Sequence, residues 1–529
     1  MALHPGRPLR SIPVALLLAT LGLAARASSQ TAPPPGLDEY IREVMETFEV
    51  PGLALAIVKD GEVVLAEGYG VRRLGEPTPV DAHTLFGIAS NTKAFTATAI
   101  GILVEEGKLE WDQPVIDVLP SFRMSDPYVT AELTIRDLLV HRSGLGLGAG
   151  DLLFWPGTTY DRDEIVRRLR YVPIENSFRA TYNYDNVLYM VAGEVIEAAS
   201  GMAWDAFVET RILQPLGMGD SRASLVAAAP DNNVAYTHAR VDGVVREVPP
   251  DTTRSIGPAG GIMSSAADMA RWLDVQLGRG KLADGDSLFS EATSRELWTL
   301  VTPLEPLPPP PELAPLAANF NGYALGFFVG DYRGRKMVRH TGGLPGFVSR
   351  VAMIPEEGVG VAVLTNQESG AAFDAITFHV LDHYLGVDPP YDWLGGWQAL
   401  VARMDSVNAA TVSEAAAARD STAGPSLPIE RYAGVYEDPW YGDVGISLEG
   451  DGLVMRFSRT PLMVGDLEHW QYDTFLVRWR HRSLRADAFV TFQLEPDGEV
   501  ERVRMEPASP TVDFSYDFQD LDLKPKRED

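Results

Sequence analysis

The order of the predicted elements along the first 390 residues constrains the fold of this chain most. A hairpin pattern covers residues 52–67, where two apolar runs are joined by a Lys-Asp-Gly-Glu turn. Helical patterns follow at residues 90–107, 135–141, 163–170 and 185–200, and another helix begins near Ser265. Strand patterns then return at residues 323–330, 335–340, 348–354 and 359–365, before a helix at 370–385. Strands at both ends with helices between them predict an α+β domain whose sheet joins distant segments.

The composition changes after this domain. Residues 400–427 are rich in alanine and end in a Gly-Pro-Ser-Leu stretch, which predicts a connecting helix and a linker. From Ile429 to Leu523, short strand patterns alternate with turn signals, which predicts a separate all-β domain, either a sandwich or a small barrel. Its many aromatic residues suit an interface, such as one between copies of the chain, or simple packing of a small β core.

Length and charge exclude several classes of protein. A chain of 529 residues is long enough for two or three domains. Because it contains no cysteine, it has no disulfide, thiolate metal site or cysteine nucleophile. A net charge of −28 argues against binding to nucleic acid or to an anionic membrane surface.

The first 27 residues have the pattern of a secretory signal peptide. Arg7 and Arg10 precede an apolar stretch over residues 12–25, and Ala25-Arg-Ala27 offers a small-residue cleavage site. The apolar stretch is short for a membrane span, although an uncleaved anchor is the alternative. We therefore expect a secreted or periplasmic protein with no stable membrane insertion once the signal is removed. The expected divisions are residues 1–27 (signal), 28–395 (first domain), 396–427 (connecting segment) and 428–529 (all-β domain).

Ser90 and Lys93 form the first candidate site. In Ser90-Asn91-Thr92-Lys93, a hydroxyl and an amine three residues apart fall on one face of the predicted helix. The amine can then take the proton that makes serine a poor nucleophile at neutral pH. Serine and lysine are common, and they also occur at this spacing by chance, as a helix cap and a surface lysine. Other residues must therefore decide between a catalytic pair and this alternative.

A Tyr-x-Asn triplet supplies the second candidate site. Tyr184 and Asn186 lead into the helix predicted at residues 185–200. A phenol beside an ammonium group can ionise below its usual pKa and act as a general base. Asn186 can hold Lys93 and a substrate carbonyl. The alternative is a turn with a buried tyrosine.

The third candidate site directly follows a predicted strand. His340-Thr341-Gly342-Gly343 contains adjacent glycines, which let a substrate approach the backbone, and the amide of Gly343 can complete an oxyanion hole with that of Ser90. A glycine-rich hairpin with an incidental histidine is the alternative. His141 ends another predicted helix and is interpreted as a capping or core residue rather than a catalyst.

Together, in this order and spacing, the three motifs resemble those of the serine β-lactamase and penicillin-binding-protein superfamily. The similarity covers roughly residues 36–390 and is closest to the class C, esterase and D-aminopeptidase-like branch. It implies an antiparallel sheet flanked by helices, an all-helical region and a cleft between them. It also implies that Ser90 forms the acyl-enzyme, that Lys93 handles protons and that Tyr184 acts as base. The remaining site residues it implies are Asn186, His340, Thr341, Gly342 and Gly343.

One position departs from that pattern. β-Lactamases usually carry lysine where this chain has His340, and histidine is mostly neutral at pH 7, which disfavours penicillin-like carboxylates. The expected protein is thus a serine hydrolase that cleaves an ester or amide of a small molecule or peptide, without metal or cofactor. A β-lactamase, a D,D-carboxypeptidase and a non-catalytic penicillin-binding-like sensor are the alternatives. The C-terminal segment resembles an uncharacterised β domain often appended to such hydrolases.

Other hydrolase classes fit the sequence less well. The chain has no Gly-x-Ser-x-Gly elbow, which argues against an α/β-hydrolase. It also lacks a His-Glu-x-x-His pattern. His379 and His383 share a helix face, but no third ligand is in view, so we expect a surface or packing role for them.

Overall fold

A computed structural model of the chain describes residues 31–226 and 233–527. The predicted signal segment lies outside these described residues. Within the described ranges, twelve strands precede residue 370: β1 (Gly52–Lys59), β2 (Glu62–Gly70), β3 (Phe86–Gly87), β4 (His238–Val241), β5 (Val244–Glu247), β6 (Met263–Ser264), β7 (Thr302–Leu304), β8 (Asn321–Tyr323), β9 (Phe328–Tyr332), β10 (Arg335–Leu344), β11 (Phe347–Ile354) and β12 (Val359–Thr365).

Most of the helices lie, in sequence, between the N-terminal hairpin β1–β2 and the strands β7–β12. The helices are α1 (Leu37–Thr47), α2 (Thr92–Glu105), α3 (Val115–Val118), α4 (Pro127–Glu132), α5 (Arg162–Arg168), α6 (Val187–Ser200), α7 (Trp204–Val208), α8 (Gln214–Leu216), α9 (Gly257–Gly260), α10 (Ala266–Leu277), α11 (Glu291–Leu297), α12 (Gly370–Tyr384) and α13 (Trp393–Ala418). The alanine-rich segment thus forms the second half of the long α13 helix.

The first sheet joins both ends of this domain, as the sequence predicts. Its eight strands run in the order β2-β1-β12-β11-β10-β9-β8-β7, and all pairs are antiparallel. Every residue of β1 is buried, because alternate side chains face two layers. Leu53, Leu55 and Ile57 pack towards α1, α12 and α13, whereas Ala54 and Ala56 face the helical region. The α+β architecture is therefore confirmed.

Helix α2 is the centre of the helical region. Its residues from Thr92 to Leu103 are all buried, which is expected of a helix that is apolar on every side. One sequence prediction is wrong here: residues 135–141 form only a single 3₁₀ turn, Asp137–Leu139, rather than a helix. The Asp137 carboxylate accepts hydrogen bonds from the backbone N–H and hydroxyl of Thr134 and stabilises a tight turn instead.

The C-terminal domain is a nearly closed barrel of eight strands, so the barrel alternative of the sequence prediction is the correct one. The strands are β13 (Gly434–Asp438), β14 (Gly442–Glu449), β15 (Gly452–Phe457), β16 (Val464–Gln471), β17 (Thr474–Trp479), β18 (Ala488–Leu494), β19 (Val500–Pro507) and β20 (Lys524–Pro525). The first seven pair as a meander, and β20 pairs with β13. A bridge between Val503 and Leu523 brings the two edges of the sheet together.

The barrel packs directly on the first domain. Tyr160 donates a hydrogen bond of 2.5 Å to the carbonyl of Tyr441, and Arg168 donates one of 2.8 Å to that of Trp440. Buried residues of both domains belong to one contiguous apolar core. In the described part of the chain, no helix is both long enough and apolar enough to cross a bilayer.

Candidate active site

Ser90 lies on a short turn that is held in place on two sides. A 3₁₀ turn, Ala89–Asn91, leads into α2. The Asn91 amide donates to the hydroxyl of Ser349 on β11, and that hydroxyl donates to the carbonyl of Ile88, both at 2.7 Å. Ala89 has a φ of +49°, a conformation that costs a residue with a side chain about 1–3 kcal/mol and that clusters at functional sites.

The amine of Lys93 is completely buried and has three polar neighbours. Nζ lies 3.1 Å from Ser90 Oγ, 2.7 Å from Asn186 Oδ1 and 3.0 Å from the carbonyl oxygen of Ala259. Burial lowers the pKa of Lys93 from 10.5 to about 7, although the carboxyls of Asp151 and Asp185 oppose this change. The lysine can therefore be a neutral amine near neutral pH.

A neutral amine in this position is set up to accept a proton from Ser90. It has two hydrogens and one lone pair, and the oxygens of Asn186 and Ala259 can only accept hydrogen bonds. Both hydrogens are thus taken by these two acceptors, and the lone pair is left for the Ser90 hydroxyl. This arrangement fulfils the geometric requirement for a general base beside a nucleophile.

Asn186 precedes α6 and connects the lysine to a buried carboxyl. Its amide nitrogen donates a 2.8 Å hydrogen bond to Asp151 Oδ2. Burial raises the pKa of Asp151 to about 8, partly offset by the hydrogen bonds from Ser515 and Asn186. Asp151 Oδ1 is buried without a hydrogen-bond partner, so a protonated Asp151 would carry its proton there.

Tyr184 lies beside the same amine, but its pKa differs from the sequence prediction. Lys93 Nζ is 4.8 Å from the centroid of the Tyr184 ring. Burial raises the pKa of Tyr184 well above 10, and a hydrogen bond with Ser90 only partly opposes this change. The expectation of a low tyrosine pKa is therefore wrong for the free site, because desolvation is the largest effect on the phenol and the amine loses its own charge above about pH 7. Tyr184 is suited to donate or relay a proton as a neutral phenol.

His340 borders the cavity but is almost completely buried. Its Nδ1 lies 2.5 Å from the carbonyl oxygen of Thr341, which can only accept, so Nδ1 carries the hydrogen. Nε2 then accepts from the hydroxyl of Tyr323 at 2.9 Å. Burial, together with the nearby Lys93, lowers the pKa of His340 to about 3. The side chain is neutral at pH 7 and has both nitrogens occupied.

The backbone of β10 forms the opposite side of the site. β9 pairs with β10 only as far as Arg339, so the edge of Thr341, Gly342 and Gly343 has no partner strand within the described residues. A Cβ on Gly342 would lie 2.2 Å from the carbonyl oxygen of Ile88, whereas one on Gly343 would meet nothing within 4 Å. Gly342 thus allows β10 to approach the Ser90 turn, and Gly343 faces open space.

All of the predicted site residues except Lys93 and Gly342 line or border one cavity of about 340 Å³. Its walls include the aromatic residues Phe154, Trp155, Tyr182 and Phe328. The barrel domain adds Asp513, Phe514 and Ser515. Among the described residues, neither lysine nor arginine lines the cavity, and Asp513 is its only acidic residue. Two further cavities, of about 540 and 270 Å³, adjoin it at Leu344.

Several site residues were not singled out from the sequence. Asp151 follows a segment in which every second residue from Gly144 to Gly150 is glycine, and that pattern was a usable signal. Ala259 contributes only a carbonyl, and Ser515 comes from another domain, so no local pattern marks them. His141 is a buried residue whose ring centroid lies 4.2 Å from that of Tyr184.

His379 and His383 lie away from the cavity. His379 stacks on Tyr40 at 4.0 Å, and His383 lies 3.2 Å from the carbonyl oxygen of Ala32. Residues 31–226 and 233–527 contain no group of three or more acidic, histidine or cysteine side chains able to hold a metal ion.

Comparison with known proteins gives two family matches and related sequences. The model of the family described as "Beta-lactamase" matches residues 37–385, and that of the "Domain of unknown function (DUF3471)" matches residues 418–525. "Unguisins hydrolase ungD" from Aspergillus violaceofuscus is 31% identical over 451 residues, which cover 80% of this chain and 78% of that protein.

Solved structures show the same fold. The octameric penicillin-binding protein homologue from Pyrococcus abyssi has a TM-score of 0.58 at 23% identity, and the match covers 89% of this chain and 97% of that one. A class C β-lactamase from Rhodobacter sphaeroides has a TM-score of 0.54 at 22% identity, with 66% and 100% of the two chains covered. The chain therefore belongs to the β-lactamase and penicillin-binding-protein superfamily of serine hydrolases and carries a C-terminal DUF3471 domain.

Proposed function

We propose that this protein hydrolyses an ester or amide bond through an acyl-enzyme on Ser90. The observation that carries the proposal is the amine of Lys93, which has a pKa of about 7 and lies 3.1 Å from Ser90 Oγ. In the first step the amine takes the hydroxyl proton while Oγ attacks the carbonyl carbon. Tyr184 and Lys93 pass that proton to the leaving group, and water then releases the acyl group by the reverse path.

The backbone amides of Ser90 and Gly343 are proposed to stabilise the oxyanion. The open edge of β10 leaves Gly343 available to a substrate, and Ser90 lies where the 3₁₀ turn leads into α2. Donors arranged before the reaction stabilise the negative charge that develops on the carbonyl oxygen.

The substrate is proposed to be a neutral or cationic ester or peptide-like amide. The described residues that line the cavity include no lysine or arginine, and His340 is neutral and buried, so this lining disfavours a substrate carboxylate. The adjoining cavities at Leu344 favour an extended substrate. A relative named for the hydrolysis of unguisins supports a hydrolytic activity.

Export from the cytoplasm is a further part of the proposal. It is supported by the arginines, apolar stretch and small-residue cleavage site of residues 1–27. N-terminal sequencing of the protein recovered from culture medium or periplasm tests it, and a chain that still begins at Met1 in the cytoplasm would contradict it.

Removal of the Ser90 hydroxyl tests the reaction. Ser90→Ala should lose at least about 10³-fold in turnover of a neutral ester, since it removes the nucleophile. Its thermal midpoint should stay within a few degrees, because loss of one hydroxyl costs only about 1 kcal/mol. Fluorophosphonate labelling followed by intact-mass measurement should add one adduct to the native chain and to the control Ser447→Ala, an exposed serine of the barrel. An adduct on Ser90→Ala would contradict the assignment.

A further inference from the structure

The barrel domain reaches the active site through residues 513–517, which we call the cleft loop. Asp513, Phe514 and Ser515 of this loop line the Ser90 cavity. The centroid of the Phe514 ring lies 5.9 Å from that of Tyr184, in an edge-on arrangement. The cleft loop therefore contacts a candidate catalytic side chain directly.

Ser515 fixes the carboxyl on which Asn186 depends. Ser515 Oγ donates a 2.8 Å hydrogen bond to Asp151 Oδ2, and both side chains are buried. The same oxygen accepts the amide N–H of Asn186, also at 2.8 Å. One oxygen of Asp151 thus joins the barrel to the residue that holds Lys93.

This contact decides which way the Asn186 amide faces. With its nitrogen on Asp151, its oxygen must face Lys93, where it accepts a 2.7 Å hydrogen bond. A flipped amide would place its N–H₂ against the lone pair of a neutral Lys93, which would then not be free for Ser90, and would place two acceptor oxygens, its own and Asp151 Oδ2, against each other. The lone pair of a neutral Lys93 faces Ser90 only in the observed orientation.

Asp517 holds the backbone on either side of Asp151. Its carboxyl accepts the N–H of Gly150 at 2.6 Å and that of Leu152 at 3.1 Å. Burial raises the pKa of Asp517 well above its usual value, which shows that burying this carboxyl is unfavourable. The hydrogen bonds from Gly150 and Leu152 partly offset that cost. Two side chains of the cleft loop therefore determine the position of Asp151.

The backbone of the first domain is shaped for this contact. Gly148 has a φ of +71°, and a Cβ there would lie 2.7 Å from the carbonyl oxygen of Phe514. Only glycine combines this conformation with so close an approach. The segment before Asp151 and the cleft loop are thus fitted to each other.

We propose that Ser515 and Asp517 are positioning residues of the acyl-transfer site, which hold Asp151 so that Asn186 turns its amide oxygen to Lys93. The barrel domain is then a part of the catalytic machinery, although it touches no reacting atom. This inference rests on the proposed function, in which the Lys93 amine takes the proton of Ser90.

A matched pair of substitutions tests the proposal in the full chain. Ser515→Thr keeps the hydroxyl donor. Ser515→Val has nearly the same shape as the threonine variant but carries a methyl group in place of its hydroxyl. We expect Ser515→Val to lower kcat on a neutral ester about tenfold with KM changed less than twofold, and Ser515→Thr to stay within threefold of the native kcat. Ser509→Ala is the control, because Ser509 lies four residues before the cleft loop and its hydroxyl, among the described residues, bonds only to Thr511.

Titration of Lys93 gives a readout that needs no substrate. The titratable groups that face Lys93 are Tyr184, Tyr189, His141, His340, Asp151 and Asp185. The groups that face Asp151 besides Lys93 are Tyr184, Asp513 and Asp517. The negative charge of an ionised Asp151 raises the pKa of Lys93. Loss of the Ser515 hydrogen bond disfavours the ionised form of Asp151 and so weakens this effect. The ¹³Cε midpoint of Lys93 should therefore fall in Ser515→Val and stay unchanged in Ser515→Thr.

The outcomes separate the two proposals. Equal kcat losses in Ser515→Thr and Ser515→Val, or no loss in either, would overturn the positioning role. If the native chain neither hydrolyses esters nor labels at Ser90, the proposed function fails, and the Lys93 midpoint alone decides whether Ser515 positions the network. An unchanged midpoint in Ser515→Val would then overturn it.

Discussion

The two sides of the Ser90 cavity hold their polar groups in different ways. On the helical side, Lys93 is completely buried and two of its three polar neighbours are held by further hydrogen bonds: Asn186 by Asp151, and Ser90 by the turn that Asn91 ties to β11. On the other side, the edge of β10 that faces β9 has no partner strand beyond Arg339 in the described part of the chain, and Asp513 is exposed. The closed side suits proton transfer, which needs exact geometry and low solvation. The open side is available to contact the substrate and can therefore determine which substrate binds.

The largest effects should follow from changes on the closed side. Lys93→Met and Tyr184→Phe should each lower turnover by about 10²–10⁴-fold, because both groups handle the same proton. Their double variant should lose much less than the product of the single losses, since groups that act as one unit are not additive. Steady-state kinetics of the three variants on one neutral ester measure this, and fully multiplicative losses would show that the two residues do not share a proton path.

A smaller effect should follow where β10 meets the closed side. Gly342→Ala would place a Cβ 2.2 Å from the carbonyl oxygen of Ile88, so the Ser90 turn or β10 must shift. We expect a loss of about 1–3 kcal/mol in unfolding free energy and a fall of about 10- to 100-fold in kcat/KM.

Gly343→Ala is the matched control, because its Cβ would meet no atom within 4 Å. Its thermal midpoint should equal that of the native protein. Thermal denaturation of both variants measures the difference, and equal destabilisation would show that the close approach at Gly342 is unimportant.

The smallest effect is expected on the open side, at Asp513. Asp513→Asn removes a charge and keeps the oxygen that accepts the Ser515 N–H at 2.9 Å. Because the carboxylate is exposed, its influence is largely screened, and kcat/KM for an anionic ester should rise only about two- to fivefold relative to a neutral one. Asp497→Asn, at an exposed turn of the barrel, is the control. If the ratio of kcat/KM for the anionic ester to that for the neutral ester is the same in both variants, Asp513 does not influence which substrate is preferred.

Local sequence patterns predict most of the closed side. The i,i+3 spacing places Lys93 beside Ser90, and the confirmed α+β and all-β architectures follow from periodicity and turn residues. The three motifs are brought around one cavity, as their resemblance to the superfamily implies.

The other features of the site and fold depend on contacts that local sequence patterns do not indicate. Ser515 and Asp151 are 364 residues apart, and no pattern near either of them indicates their contact. The pKa of Tyr184 is predicted in the wrong direction, because the sequence shows the nearby amine but not the burial that outweighs it. The short turn at Asp137–Leu139 replaces a predicted helix, since side-chain hydrogen bonds to Thr134 compete with helix formation.

The pH dependence of the free enzyme tests the central claim most directly. The account requires neutral Lys93, whose pKa is lowered to about 7, so kcat/KM should increase as pH rises through that value. The measurement is kcat/KM of the native chain on a non-ionising ester between pH 5 and 10. A single rise with its midpoint near 7 is the predicted result. A rate that is flat from pH 6 to 8 and rises only near pH 10 would contradict the account, because Lys93 would then be an ordinary charged lysine.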